Sequence, residues 1–323
     1  MYRVKKFLDE LTVNKDFLHI IQPFSIGDFI YAGGLAHAAQ KKKNKQATVL
    51  IVNERMKNLG ITYSNFANIV FLPGEAMEAL KQYFYVTGNY EGGNYIYGHF
   101  HAGKNGGYIW DDTLHLIDRY KKNIFDIPMN TEFVPPVVPA VSEQNIVRLN
   151  KKYILDKFHT VIILPYVHST RQLDIKFWEL LAEKLKAQGH VVYTNTNGFS
   201  EKPVAGTNAI STNLREMYFI SDKIKCFIGS RNGIFDFLAL TKATIMNINP
   251  FPEWLWDISL MYPNSKNRTF YNAVEYVKPI ADYLGKSKVN AQINLSHSKI
   301  RPTDIFYSYE DILNSILTDA EKI

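Results

Sequence analysis

The chain has 323 residues, 46% hydrophobic and 21% charged, with a formal net charge of +6. That length exceeds one comfortable core, so two domains are expected, and the composition is globular rather than fibrous or disordered. The basic balance suits anionic ligands or an acidic lipid surface, but Lys and Arg are dispersed, which excludes a nucleic-acid signature. The single cysteine, Cys226, excludes an internal disulfide and a cysteine-based zinc site.

Tyr2 to Leu11 reads as a short Lys-rich amphipathic helix. It lacks the continuous apolar core of a signal peptide. Phe17 to Pro23 is a buried strand that enters the turn Ser25-Ile26-Gly27-Asp28. A helix follows from Phe29 to Lys43 and ends in the basic run Lys41 to Lys45. Strands are expected at Ala47 to Val52 and Asn68 to Leu72, and a helix at Glu75 to Phe84. This alternation predicts a parallel sheet with helices on both faces. Tyr90 to Trp110 is rich in Gly, Asn, Tyr and His and reads as a long functional loop. Thr113 to Lys122 resumes a helix. Pro128 to Pro139 is an extended connector, and the domain boundary is expected just after it, at residue 140.

The second domain, expected over 141–300, opens with a helix from Ser142 to Leu155. Thr160 to Pro165 is a central strand, His168 to Asp174 a polar turn, and Lys176 to Gln188 an amphipathic helix. His190 to Thr194 is a strand and Leu214 to Ser221 a helix. Thr244 to Ile248 is a further strand. A last helix, Tyr309 to Leu317, lies in a C-terminal segment, 301–323. No apolar run reaches the ~18 residues needed to span a bilayer, so a cytoplasmic protein is expected, with peripheral membrane contact left open. Most of the 20 Tyr and 20 Phe are read as core and interface filling.

The most informative stretch is Lys225 to Ala239. A short apolar strand breaks at Gly229-Ser230-Arg231-Asn232-Gly233 and resumes as a helical pattern through Phe235, Leu238 and Ala239. Strand, glycine-bearing turn and helix present backbone N–H groups to an anion, and Arg231 adds a guanidinium fork for phosphate. A diphosphate-bearing ligand fits. An ordinary βα turn needs the same Gly and Asn, so the motif alone leaves both readings open.

Two Rossmann-like halves, a proline-bearing linker and a final helix describe the B-type glycosyltransferase fold: α/β, two domains facing across a cleft, the last helix returning toward the first. The chain resembles the heptosyltransferase-like bacterial glycosyltransferases (glycosyltransferase family 9-like) at three places. Ser25-Ile26-Gly27-Asp28 looks like their N-terminal Gly-Asp turn. His168-Ser-Thr-Arg-Gln-Leu-Asp-Ile-Lys-Phe-Trp178 looks like their stretch ending in Lys-x-Trp. Gly229 to Asp236 occupies the place of their Gly-x-Asp-Ser-Gly-x-x-His, with Arg231-Asn232 for the Asp-Ser pair and Asp236 for the His. A changed donor site implies a changed donor, so ADP-heptose is not carried over. An Arg at this turn also resembles fucosyltransferase-like members, where it holds the donor diphosphate.

The resemblance implies that Asp28 deprotonates an acceptor hydroxyl, against the alternative of an Asp that complements a helix dipole. Lys176, Arg231 and Arg171 suit a departing pyrophosphate; Lys176 could equally be a surface cation, and Arg171 an ion-pair partner of Asp174. Ser169 and Thr170 could donate to phosphate or cap the helix. Gly229, Ser230, Asn232 and Gly233 form the donor turn, and Asp236 could bind a sugar hydroxyl or orient Arg231. Thr194 and Asn195, opening the run to Gly198, frame a nucleotide base or simply turn the chain. Gly27, His99 and His101 are acceptor-side candidates; the spacing of the two histidines is weak for a metal, and no Asp-x-Asp occurs.

These observations lead to one expectation: a metal-independent cytoplasmic glycosyltransferase without a cofactor. Its donor would be a nucleotide-sugar and its acceptor a hydroxyl of a glycan, glycolipid or glycoprotein, in surface-polysaccharide synthesis as the resemblance implies. A homo-oligomer is compatible with the chain. A nucleotide-sugar epimerase or hydrolase of the same fold is the alternative enzyme, and a non-catalytic partner subunit the alternative outside catalysis.

Overall fold

Val161 to Leu164 is apolar at every position, and Leu18 to Ile21 is apolar except for the buried His19, a pattern that requires cover on both faces, as a parallel sheet between helices provides. The computed structural model describes residues 2–22, 26–59, 63, 68–99, 116–167, 172–198, 200–230, 232–241, 243–250, 288–295, 314, 316–318 and 320–321. They fall into two compact units, Met1–Pro139 and Ala140–Ile323.

The first unit runs α1 (Tyr2–Val13), β1 (Phe17–Gln22), α2 (Ile26–Lys42), β2 (Ala47–Asn53), a 3-10 turn (Glu54–Leu59), β3 (Asn68–Leu72), α3 (Gly74–Thr87), β4 (Tyr95–Tyr97) and α4 (Leu116–Arg119). The last continues into a π-helical stretch, Tyr120–Phe125. The sheet order is β3-β2-β1-β4, with every pairing parallel. Two expectations change. The segment from Tyr90 read as loop contains β4, because Tyr95, Ile96 and Tyr97 are all buried and pair with His19, Ile20 and Ile21; residues 100–110 lie outside the described residues. Helix α2 starts at Ile26 rather than Phe29, so Gly27 and Asp28 occupy its first turn.

On one face of this sheet, Val4 and Leu8 of α1 and Met77, Leu80 and Phe84 of α3 pack with Ile21, Ile51, Tyr95 and Tyr97. Helix α2 is buried along most of its length rather than along one stripe. Two adjacent glycines make that possible: a Cβ on Gly33 would lie 2.3 Å from the Tyr63 ring, and one on Gly34 2.2 Å from the Phe133 ring. Both rings therefore seat directly against the helix backbone, and the Tyr63 hydroxyl donates to the Ile30 carbonyl at 2.8 Å.

The second unit runs α5 (Glu143–Lys152), β5 (Thr160–Leu164), α6 (Ile175–Ala187), β6 (Val191–Asn195), β7 (Asn208–Ile210), α7 (Leu214–Ser221), β8 (Cys226–Ser230), α8 (Gly233–Leu238), β9 (Thr244–Pro250) and β10 (Lys288–Leu295). Its sheet order is β10-β9-β8-β5-β6-β7, again parallel throughout. Strands β7 and β10 add to those read from the sequence. Helix α5 opens at the Ser142 cap, whose hydroxyl accepts from the Asn145 N–H, and stops at Tyr153, which is extended. Phe177, Trp178, Leu181 and Leu185 of α6 bury against Val161, Ile163, Cys226 and Ile228, and Ile316 and Ala320 join the same core. Burial pushes the Cys226 thiol up to about 12.

Candidate active site

In an open parallel sheet, ligands bind at the carboxyl ends of strands where the chain order reverses, because crossovers leaving in opposite directions open a crevice there. In the first unit that point is between β1 and β4. Asp28 lies in the turn of helix just beyond β1, and His99 lies two residues beyond β4. The two strands end level, with Gly98 N–H donating to the Ile21 carbonyl at 2.8 Å. Asp28 Oδ1 and His99 Nε2 are 3.6 Å apart, a close approach beyond hydrogen-bond length.

Exposure separates the two side chains. Asp28 is 14% exposed and His99 only 3%. Burial first, and then the positive field of Lys81, push the His99 pKa well below the ordinary imidazole value. His99 is therefore neutral at physiological pH, and the carboxylate is the member that meets solvent. A third group closes the cluster. Tyr120, in the π-helical stretch, donates from its hydroxyl to Asp28 Oδ1 at 2.8 Å. Its ring stacks on Tyr31, with centroids 5.4 Å apart and planes 18° from parallel. The stretch is pinned by the next residue: Lys121, wholly buried, donates from Nζ to the Met129 carbonyl at 2.8 Å and lies 3.3 Å from Asp118. Tyr120 carries no motif and was missed by sequence reasoning. Gly27 is buried in the same turn as Asp28, and His101 lies outside the described residues.

In the second unit the chain order reverses between β5 and β8. Gly229, near the end of β8, is required by packing: a Cβ there would lie 2.7 Å from both Cβ and O of Leu164. Ser230 and Asn195, at the ends of β8 and β6, are buried, and among the described residues Ser230 Oγ and Asn195 Oδ1 have no hydrogen-bond partner. Unpaired buried polar atoms are costly, which makes this sheet edge a place where an incoming ligand would be welcome. Asn232 caps α8 by accepting from the Ile234 N–H at 2.9 Å, with Gly233 opening the helix and Asp236 buried within it. Thr194 is committed internally: its hydroxyl bonds the Thr207 hydroxyl at 2.6 Å and accepts from the Val204 N–H. Lys176 is exposed on the first turn of α6, which Asp174 caps by accepting from the Lys176 N–H at 2.9 Å. Ser169, Thr170, Arg171 and Arg231 lie outside the described residues.

No family model and no curated protein sequence matches the chain. Solved structures do. A family 9 glycosyl transferase from Veillonella parvula superposes with a TM-score of 0.58 at 8% identity, covering 96% of this chain and 98% of its own. The ADP-heptose lipopolysaccharide heptosyltransferase II of E. coli does so with 0.55 at 10% identity, over 94% and 99%. The protein has the heptosyltransferase-like glycosyltransferase fold. The dodecameric iron-containing heptosyltransferase TibC of enterotoxigenic E. coli, in complex with ADP-D-β-D-heptose, matches with 0.52 at 13% identity, over 95% and 76%. The resemblance drawn from three short motifs thus extends to the fold of nearly the whole chain. In this heptosyltransferase-like fold each unit carries its own sheet reversal, and of the described residues Asp28 and His99 lie beside the first. Among the described residues no helix is long and apolar enough to cross a membrane, and no three His, Cys, Asp or Glu residues gather as a metal site.

Proposed function

We propose that this protein is a glycosyltransferase that moves a sugar from a nucleoside-diphosphate sugar to a hydroxyl of a glycan, glycolipid or glycoprotein acceptor. The observation that carries the reading is Asp28. It is a partly exposed carboxylate at the sheet reversal of the first unit, in a chain that shares its fold with heptosyltransferases along nearly its full length.

Asp28 would take the proton of the acceptor hydroxyl as that oxygen attacks the anomeric carbon. The bond from that carbon to the diphosphate oxygen breaks as the new glycosidic bond forms. The nucleoside diphosphate leaves with the electron pair, and direct displacement inverts the anomeric centre. The leaving group gathers negative charge, which Lys176 and the Arg231 turn would stabilise. Ser230 Oγ and Asn195 Oδ1 would gain partners when the donor binds. In this reading cationic side chains and backbone N–H groups carry the diphosphate charge, so transfer survives chelation of divalent metals. Surface-polysaccharide synthesis is the setting that fits such a reaction.

A thermal-shift panel of ADP, GDP, UDP and CMP, followed by transfer assays with the corresponding sugars, tests the reading. A ligand that binds only the folded state stabilises it by about 2.7 kcal/mol at 100 times its dissociation constant. One nucleoside diphosphate is expected to raise the melting temperature clearly above the others. Failure of every nucleotide and nucleotide-sugar to do so would overturn the proposal. Sugar release without any acceptor would redirect it to a hydrolase, and transfer abolished by EDTA and restored by a metal would overturn the metal-independent step.

A further inference from the structure

The Asp28 cluster holds a group with no assigned purpose. Tyr120 is fully buried, and a buried phenol can serve packing alone. Its surroundings show more. Asp28 and Tyr31 are three residues apart on α2 and therefore share a face of that helix. Tyr120 covers both: the ring lies flat on Tyr31, and the hydroxyl reaches the Asp28 carboxylate. The helix containing α2 is itself fixed by the Tyr63 and Phe133 rings against Gly33 and Gly34. On the other side, the π-helical stretch is fixed by buried Lys121. Both partners of the 2.8 Å bond thus sit on immobilised backbone.

We propose that Tyr120 is a positioning residue for Asp28: its hydroxyl sets the orientation and the proton affinity of the carboxylate, and the Tyr31 stack aims it. This deepens the proposed function and rests on it for the catalytic consequence only. A hydroxyl donating to a carboxylate favours the ionised form, so Tyr120 holds the base deprotonated and oriented while lowering its proton affinity. Two other described groups near Asp28 act differently. His99 and Tyr97 approach from the end of β4, and the charge of Lys81 on α3 acts on His99. His99 is neutral, and Tyr97 is held protonated by burial, so neither supplies a charge that could replace the Tyr120 bond. At 3.6 Å, His99 is too far to fix the carboxylate as Tyr120 does.

Tyr120→Phe keeps the ring and its stack and removes only the hydroxyl. Two readouts test the proposal: the carboxyl ¹³C titration of Asp28 by NMR, and the pH profile of kcat. Tyr120→Phe is expected to move both the Asp28 midpoint and the acid limb of kcat upward by roughly one pH unit, the size of one lost hydrogen bond to a charged group. It should lower kcat about tenfold near neutrality and leave the donor KM unchanged. His99→Gln should shift the midpoint far less. Should Tyr120→Phe fail to fold, Tyr31→Leu removes the aiming stack while keeping the hydroxyl, and is expected to give a smaller upward shift. An unmoved Asp28 midpoint in a folded variant, whatever happens to melting temperature, overturns the proposal. Because the NMR titration needs no turnover, it separates the two claims. A shifted midpoint in a protein whose Asp28→Asn variant transfers sugar normally would retire Asp28 as base and keep Tyr120 as its partner.

Discussion

Asp28→Asn is expected to lower kcat by about 10²- to 10⁴-fold, the usual contribution of a positioned general base. The amide is nearly isosteric with the carboxylate and can still accept the Tyr120 hydroxyl, so the cluster should persist. What it loses is the capacity to take a proton. Donor affinity should be nearly unchanged, because the proposed donor groups belong to the other unit. The competing account is that Asp28 merely complements the N-terminal dipole of α2, where it is the acidic residue of the first turn. That account predicts a stability loss of ~0.3–1 kcal/mol and near-normal turnover. Measuring kcat and melting temperature on one preparation decides: turnover close to wild type with a lowered melting point would remove Asp28 from the chemistry.

Trp178→Ala is expected to destabilise the second unit by about 3–5 kcal/mol, the cost of emptying a large buried aromatic site. Trp178 is only 1% exposed and meets Phe177 edge-on, with ring centroids 5.2 Å apart. It belongs to one core cluster with Leu181, Val161 and Ile228. Its indole N–H has no partner among the described residues, so Trp178→Phe, which removes that group and less volume, should cost distinctly less than Ala. Urea unfolding followed by circular dichroism gives the stability; calorimetry with the best-binding nucleotide gives the affinity. A stable Trp178→Phe variant with weakened nucleotide binding would show that the ring touches the donor after all. Undiminished stability of Trp178→Ala would show that it is not core.

The elements legible in the sequence were those with long apolar runs or helical periodicity. β1, β5 and α6 are examples: each has enough residues for the pattern to repeat. β4 and β7 are three residues long, too short for any alternation, and β4 is set among glycines and asparagines that usually mark loops. That miss hid how Asp28 and the acceptor-side candidate His99 come together. Once Tyr95–Tyr97 is a strand beside β1, His99 falls at the same crevice as Asp28, and the two could have been paired from strand order alone. Tyr120 is a different matter. It is 92 residues from Asp28, and nothing in a linear sequence announces a contact made by a π-helical stretch folding over α2. The start of α2 was misplaced because Gly27-Asp28 reads as a turn, although an Asp in the first helical turn is equally favoured by the dipole. In the second unit, Thr194 had the residue type of a ligand contact but is consumed by Thr207 and Val204, a commitment visible only in three dimensions.

Cys226 gives the protein a property useful beyond catalysis. It is the chain's one thiol, sealed in the sheet and held protonated by burial, and thiol reagents attack the thiolate. The native chain is therefore a silent background for site-specific labelling, with no residue needing removal first. Val86 in the first unit and Val147 in the second are 70% and 66% exposed on helices that carry none of the proposed chemistry. Cysteines placed there would accept a dye pair cleanly, and the distance between the dyes would report whether a nucleotide changes the separation of the two units.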